Sequence, residues 1–384
     1  MNNRMNIPQG YKGSPLGIIP KEWEVKRLGD LCLDIYSGRN KRRIDSGTYP
    51  VYGSTGIIGK TNEYQYEGEK ILVARVGAHA GQVSLASGKY DVSDNTIIVE
   101  NKECYSLYFA YQQLIAANLN KMVFGSGQPL ITAGMLKRMF VIYPPYEEQE
   151  LINSALKLWD TAIEKQSELV EKLKLRKRAL MQQLLTGKKR LPGFCGEWKE
   201  VKLGDVFDDR NETNRDDLPL LSITGDKGVI YQSDSDKRDI SNDDKSKYKR
   251  ICPNDIGYNT MRMWQGRSAL SELEGIVSPA YTIVTPRENV NVRFMAMLIQ
   301  QPRVVYDFWT HSQGLVSDTL NCKYPDFCKV KVRIPTEEEQ TAIASVLVKA
   351  DKEIELAEEK FSNLQSQKRG LMQQLLTGKK RIKT

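Results

Sequence analysis

Histidine is almost missing from this chain: His79 and His311 are the only two among 384 residues. A site built on an imidazole base, or on paired zinc-binding histidines, has little to draw on. Each histidine is read first as a solvated or structural loop residue that can also donate to a base or phosphate. Cysteine is sparse and scattered. The six thiols at 32, 104, 195, 252, 322 and 328 form no C-x-x-C pair. That argues against a disulfide frame or a zinc site and for a reducing compartment. No run of about 18 apolar residues is present, so no membrane span is expected. The opening MNNRMNIPQGYKG has no apolar core and no cleavage pattern, which points away from a secretory signal and towards the cytoplasm. A phosphate loop of the G-x-x-x-x-G-K-[ST] type and a dinucleotide fingerprint are both lacking.

One short motif imitates a catalytic loop. Tyr143-Pro144-Pro145-Tyr146 resembles the Asp/Asn-Pro-Pro-Tyr loop of amino-methyltransferases. That loop needs a side-chain carbonyl at its first position, and Tyr143 offers a phenol. Phe124-Gly125-Ser126-Gly127 lies too close upstream to serve as a methyl-donor loop. The two prolines are better read as a stop before a helix.

What the chain does have is a stretch that occurs twice. Lys177 to Arg190 reads KRALMQQLLTGKKR and Lys368 to Arg381 reads KRGLMQQLLTGKKR. The shift of 191 holds upstream, so Glu147, Glu148 and Gln149 fall on Glu338, Glu339 and Gln340. Stripe positions recur four and three apart: Ile152, Leu156, Trp159, Ile163, Gln166, Val170, Leu173, Lys177, Leu180, Leu184. The second copy gives Ile343, Leu347, Ala350, Ile354, Ala357, Phe361, Leu364, Lys368, Leu371, Leu375. This heptad spacing predicts two helices that pair as a coiled coil. Thr336 and Glu339 suit a capping box, and Gly187 and Gly378 suit helix C-termini. Both helices begin acidic and end basic, so the charges favour an antiparallel pair. Connectivity agrees, because a stretch of domain size returns the chain to the start of the second helix.

Around each helix lies a repeated frame. Glu22-Trp23 to Leu28-Gly29-Asp30 is echoed by Glu197-Trp198 to Leu203-Gly204-Asp205, and a long variable body follows each. The expected organisation is a domain over 1–143, a helix over 144–190, a second domain over 191–334 and a helix over 335–384, with pseudo-two-fold symmetry. Ile71 to Ala74 and Thr96 to Val99 read as buried strands. The bodies share this mixed α/β flavour, but their sequences do not align.

A balance of 56 Lys and Arg against 48 Asp and Glu leaves +8, suited to a polyanion. Several loops carry groups that read DNA. In the first body they are Arg39, Asn40, Lys41, Arg42 and Arg43; Ser54 and Thr55; Arg75, His79 and Gln82; Ser126 and Gln128. In the second body they are Arg210, Asn211, Thr213, Asn214 and Arg215; Arg262, Trp264, Gln265 and Arg267; His311, Ser312 and Gln313. Arginine pairs bidentately with guanine, and asparagine or glutamine with adenine, while cations also hold phosphates.

The doubled arrangement resembles the specificity subunits of type I restriction–modification enzymes over nearly the whole length. The resemblance rests on the Glu-Trp…Leu-Gly-Asp segments, the two bodies, the Glu-Glu-Gln helices ending in Leu-Met-Gln-Gln-Leu-Leu-Thr-Gly-Lys, and Tyr49 to Gly59. The second body departs where Ile334-Pro335-Thr336 replaces the usual Pro-Pro. The resemblance implies a mixed α/β fold: two target-recognition domains held apart by an antiparallel two-helix coiled coil. It implies binding to double-stranded DNA at an asymmetric, split target. It implies two methylation subunits, optionally two restriction subunits, and no catalysis by this chain. S-adenosylmethionine, ATP and Mg would then be bound by those partners. Lys177, Arg178, Gln182, Gln183, Lys368, Arg369, Gln373 and Gln374 are the expected partner-binding residues, because identical partners need equivalent surfaces. An adaptor with two protein-binding domains is the alternative, separated from the first reading by a test for specific DNA retention that salt weakens steeply, and a nuclease or methyltransferase in its own right is a third reading.

Overall fold

The computed structural model describes residues 7–44, 46–122, 130–225, 227–235, 241–314 and 319–382. Its contacts divide into two units: residues 1–167 with 359–384, and residues 168–358.

The first unit opens with a hairpin of β1 (Tyr11–Ser14) and β2 (Gly17–Pro20). The chain continues through β3 (Glu24–Arg27), β4 (Cys32–Ser37), β5 (Tyr49–Gly53), β6 (Gly56–Thr61) and β7 (Tyr66–Glu67). Then come β8 (Lys70–Ala74), β9 (Val83–Ala86), β10 (Lys89–Val92) and β11 (Thr96–Asn101). Helices α1 (Leu107–Ala116) and α2 (Ala133–Arg138) precede β12 (Phe140–Tyr143) and the long α3 (Tyr146–Leu184). One sheet has the order β4-β11-β8-β9 and a second β6-β5-β10-β7. β8 and β11 are apolar on both faces because each face meets a different core. Ile71, Val73, Ile97 and Val99 pack with Phe109 and Leu114 of α1. Leu72 and Ile98 point the other way, onto Tyr90 and Val92 of the second sheet. Side chains alternate across a strand, so continuous apolar runs are what a doubly covered sheet requires.

The second unit repeats this plan. It uses β13 (Lys199–Lys202), α4 (Leu203–Val206), β14 (Phe207–Asp209), β15 (Leu221–Ile223) and β16 (Val229–Tyr231). Next are β17 (Lys249–Ile251), β18 (Ile256–Asn259), β19 (Ser268–Leu270), β20 (Gly275–Val277) and β21 (Tyr281–Pro286). The unit continues with α5 (Val292–Leu298), α6 (Pro302–His311), α7 (Tyr324–Phe327), β22 (Lys331–Ile334) and the long α8 (Glu337–Leu375). The order β14-β21-β18-β19 is that of β4-β11-β8-β9, position for position. β15 pairs with β16 and β17 with β20, and a parallel bridge joins Leu220 to Ile276, as β5 joins β10. The two bodies, which do not align as sequences, are one topology used twice.

The repeated motifs have structural causes. Leu28 and Leu203 are fully buried, and their amides donate to Met139 O and Val330 O, at 2.8 and 2.9 Å. A Cβ on Gly29 would stand 3.0 Å from Lys137 O, and one on Gly204 would stand 2.7 Å from Cys328 Cβ. Leu-Gly-Asp therefore recurs because that turn lies flat on the end of the body. The Glu-Glu-Gln motif ties body to helix. Gln149 donates to Pro144 O and accepts from Ser106 N, before α1, both at 2.9 Å. Gln340 donates to Pro335 O and accepts from Asn291 N, before α5, also at 2.9 Å.

Within each unit the long helices run antiparallel. In the first, Glu148 meets Arg381 and Asp160 meets Lys368. In the second, Lys174, Arg176, Lys177 and Arg190 meet Glu358, Glu353, Asp351 and Glu339. Every stripe residue is buried or half-buried. The two lysines in the stripe are explained by the aspartates opposite them. One expectation needs correction. Glu339 does not close a capping box with Thr336; it is buried and takes both the Nε and Nη2 of Arg190 at 2.5 Å. Glu338 takes the cap instead: its own amide and the Thr336 hydroxyl hold its carboxyl below the usual range. Gly187 and Gly378 end the helices with left-handed φ of 69° and 71°. No helix among the described residues is long and apolar enough to cross a membrane.

Candidate nucleic-acid interface

The loops singled out in the sequence occupy corresponding places in the two bodies. Residues 38–43 follow β4, and residues 210–215 follow β14, at equivalent edges of the equivalent sheets. Residues 75–82 join β8 to β9, and residues 260–267 join β18 to β19.

Cations near these loops divide into paired and unpaired groups. Arg39, Lys41, Arg42 and Arg43 are exposed, and among the described residues none has a carboxylate within 4 Å. Asn40 differs from them. It is half-buried, and its Nδ2 donates to Asp91 Oδ2 at 2.5 Å, so it anchors the loop. Thr55 is exposed at the β5–β6 turn, while Ser54 donates to Asn95 O at 2.7 Å. Arg75 is half-buried and donates to Asp94 O. His79 and Gln82 are exposed, with Nδ1 3.1 Å from Oε1.

In the second body the sequence overestimates the free arginines. The Arg210 fork is filled by Asp255, Nε to Oδ2 at 2.7 Å and Nη2 to Oδ1 at 3.2 Å. Asp255 is fully buried and also accepts from Thr285 Oγ1 and the Cys252 amide. Arg215 is clamped by Asp217 and Glu212, and Arg250 by Glu212 and Glu274. Arg250 holds the Glu212 carboxyl below its ordinary range. A guanidinium held by carboxylates has few donors left for a base, and removing Arg210 would strand the buried charge of Asp255. These arginines brace the loop. Asn211 is exposed, Thr213 half-buried, and Asn214 sits at a left-handed φ of 60°.

Arg262, Gln265 and Arg267 are exposed and line an open cleft of about 480 Å³ with Thr224, Lys227 and Asn259. No carboxylate is among its described lining residues. Lys227 and Thr224 were not picked out from the sequence, although the two glycines at 225 and 228 mark a turn there. Trp264 is half-buried, its indole donating to Met261 O at 3.0 Å. His311 and Ser312 are half-buried and bond back onto Asp307 O and Phe308 O, and exposed Gln313 donates to Asp326 Oδ1. They finish α6 and its following turn. Ser126 and Gln128 lie outside the described residues.

On the helices, Arg178, Gln182, Gln183, Arg369, Gln373 and Gln374 are exposed. Lys177 and Lys368 are half-buried and bonded to Asp351 and Asp160, within the helix pair and not on its outer face.

Comparison with known proteins agrees with this arrangement. Residues 20–174 match the family described as the type I restriction modification DNA specificity domain. The MjaVIII specificity subunit of a type I restriction enzyme from Methanocaldococcus jannaschii is 25% identical over 95% of this chain and 94% of its own. The EcoprrI specificity subunit from Escherichia coli is 30% identical over 39% of this chain and 40% of its own. Among solved structures, the S subunit of a type I restriction-modification system from M. genitalium covers 98% of both chains with a TM-score of 0.59 at 15% identity. A chain from a study of assembly and conformational transition in the type I R-M system gives 0.58, over 94% of this chain and 99% of its own, also at 15% identity. The chain is thus similar to type I restriction–modification specificity subunits in sequence over nearly its full length, matches their domain family over residues 20–174, and shares the fold of their solved structures.

Proposed function

We propose that this chain selects the DNA target of a type I restriction–modification complex and leaves the chemistry to its partners. The observation that carries the reading is one strand topology used twice, with different side chains in equivalent loops, on helices whose ends, 177–190 and 368–381, repeat almost residue for residue. Equal scaffolds with unequal loops suit two half-sites of unequal sequence. The target is then asymmetric and split, and Arg39, Lys41, Arg42, Arg43, Arg262 and Arg267, which have no carboxylate partner among the described residues, hold phosphate or base edges. Two methylation subunits dock on the repeated helix ends through Arg178, Gln182, Gln183, Arg369, Gln373 and Gln374, with two restriction subunits as an optional addition. S-adenosylmethionine, ATP and Mg belong to those partners, and the complex works in the cytoplasm on double-stranded DNA.

Methylome sequencing of a host carrying this chain with its methylation subunit tests the reading. A single class of split, asymmetric adenine target is expected. No new methylated sequence, or a continuous palindrome, would sink it. Charge reversal at Arg178 and Arg369 together should lower partner stoichiometry on size-exclusion chromatography.

A further inference from the structure

The loops at 75–82 and 260–267 share more than their place in the sheet. Both have eight residues, VGA and MRM stand at the same offsets, and each has glycine next to last: Gly81 with φ 88° and Gly266 with φ 73°. Each is closed by the same backbone bond. Ala74 N donates to Gln82 O at 2.9 Å, and Asn259 N donates to Arg267 O at 3.1 Å. Each is tied to the later part of its body at its first residue: Ile131 N donates to Arg75 O at 2.9 Å, and Cys322 N donates to Thr260 O at 2.8 Å. The backbones are therefore equivalent atom for atom at three points, while the exposed side chains are not. His79 corresponds to Trp264, and Gln82 corresponds to Arg267.

Resting on the reading above, we infer that Gln82 and Arg267 are the same reading position in the two bodies, with Gln82 contacting adenine in one half-site and Arg267 contacting guanine in the other. The chemistry of each end fits its base. Gln82 can offer Oε1 to the adenine N6 amino group and Nε2 to N7, which is the bidentate pairing a carboxamide makes. His79 beside Oε1 fixes which way the carboxamide faces, using one of the two lone pairs on that oxygen. Arg267 presents its fork to O6 and N7 of guanine. Among the described residues it has no carboxylate partner, unlike Arg210, Arg215 and Arg250. It also lines the cleft, which has no carboxylate among its described lining residues. Trp264, in the place of His79, is pinned by its own indole bond and leaves the arginine unclamped.

The test uses the full chain with its methylation subunit. Methylomes are recorded for the wild type, Arg267→Gln and Gln82→Arg. Arg267→Gln should change one G·C position in one half-site, with the other half-site and the gap intact. Gln82→Arg should change one A·T position in the other half-site. Purified variant complexes should lose about tenfold to a hundredfold discrimination at that base pair, as one bidentate contact supplies. This binding measurement on duplexes carrying each of the four pairs decides the matter where methylation in the host is lost. Unaltered half-sites in both variants would overturn the inference. So would both variants acting on one half-site, or a uniform loss of affinity across all sequences, the mark of a phosphate contact. A wild type with no split methylated target would instead overturn the functional reading itself.

Discussion

Arg381 and Glu148 stand 233 positions apart and meet as a forked ion pair, Nε to Oε1 at 2.9 Å and Nη2 to Oε2 at 3.0 Å. Glu148 is buried and also accepts from Trp23 Nε1 at 2.8 Å. Arg381 therefore neutralises a carboxylate that water hardly reaches. Arg381→Ala should lower stability by about 1–3 kcal/mol, the range for a buried charged group that loses a partner. Urea unfolding reads this directly. Pairing it with Glu148→Gln should recover part of the loss; strict additivity of the two changes would show that the pair is not coupled.

The two copies of the repeat differ at Ala179 and Gly370, and the structure gives no packing reason for the glycine. A Cβ on Gly370 meets nothing within 4 Å. Gly370→Ala should raise stability by about 0.5–1 kcal/mol, because an exposed helical glycine only adds chain entropy. Gly378→Ala should do the opposite. Its φ is left-handed and its Cβ would stand 2.4 Å from Pro20 Cδ and 3.0 Å from Trp23 Cζ3. Thermal melts of the two variants should move in opposite directions.

Burial sorts the thiols. Cys32 and Cys322 are buried, and burial pushes both thiols up to about 12. Cys104 and Cys195 are exposed. Since the thiolate is the reactive form, alkylation of the native protein at neutral pH should label Cys104 and Cys195 and spare Cys32 and Cys322. Peptide mass mapping checks this, and early labelling of Cys322 would contradict the burial.

Acid should weaken the second body. Hydrogen bonds from Arg250, Arg215 and Arg287 hold Glu212, Asp217 and Asp208 below the usual carboxylate range. Their folded pKa values lie below the unfolded ones. The stabilisation is thus fully present above about pH 4.5 and is lost as pH falls through the folded values. The urea midpoint of the chain should drop between pH 5 and pH 3 (conditions chosen to bracket that window), and Arg250→Met should flatten the drop.

The loop cations should bind DNA through charge. Replacing Lys41, Arg42 and Arg43 by alanine should weaken binding at low salt and reduce the salt slope by roughly 0.9 for each phosphate contact removed. Arg210→Ala should instead destabilise the body, because it strands buried Asp255. Measuring DNA affinity and urea stability on both variants separates the two roles.

The helices were legible because a period of seven is local information, and their antiparallel pairing because both run from acidic to basic. Even Lys177 and Lys368, which look like errors in an apolar stripe, mark places where a carboxylate must stand opposite. The buried strands at 71–74 and 96–99 were legible for the same reason. The equivalence of the bodies was not. A shared strand order is encoded by alternating apolar positions of many residue types, and the loops between them differ in length and chemistry. The fates of Arg210 and Arg215 were hidden for another reason. Asp255 is 45 residues from Arg210, and no local pattern tells an arginine aimed at DNA from one aimed at a distant carboxylate.

The division of the chain into units also orders its synthesis. Residues 168–358 form one uninterrupted unit, whereas the other unit joins residues 1–167 to 359–384. Ribosomes deliver about 5–20 residues per second. The body made first therefore stays without Arg381, Leu375 and Gly378 on its core and on Glu148 until the second unit has emerged. The later half of the chain can finish folding before the earlier half, and the first body waits unclosed, open to chaperones and proteases, until the last helix arrives.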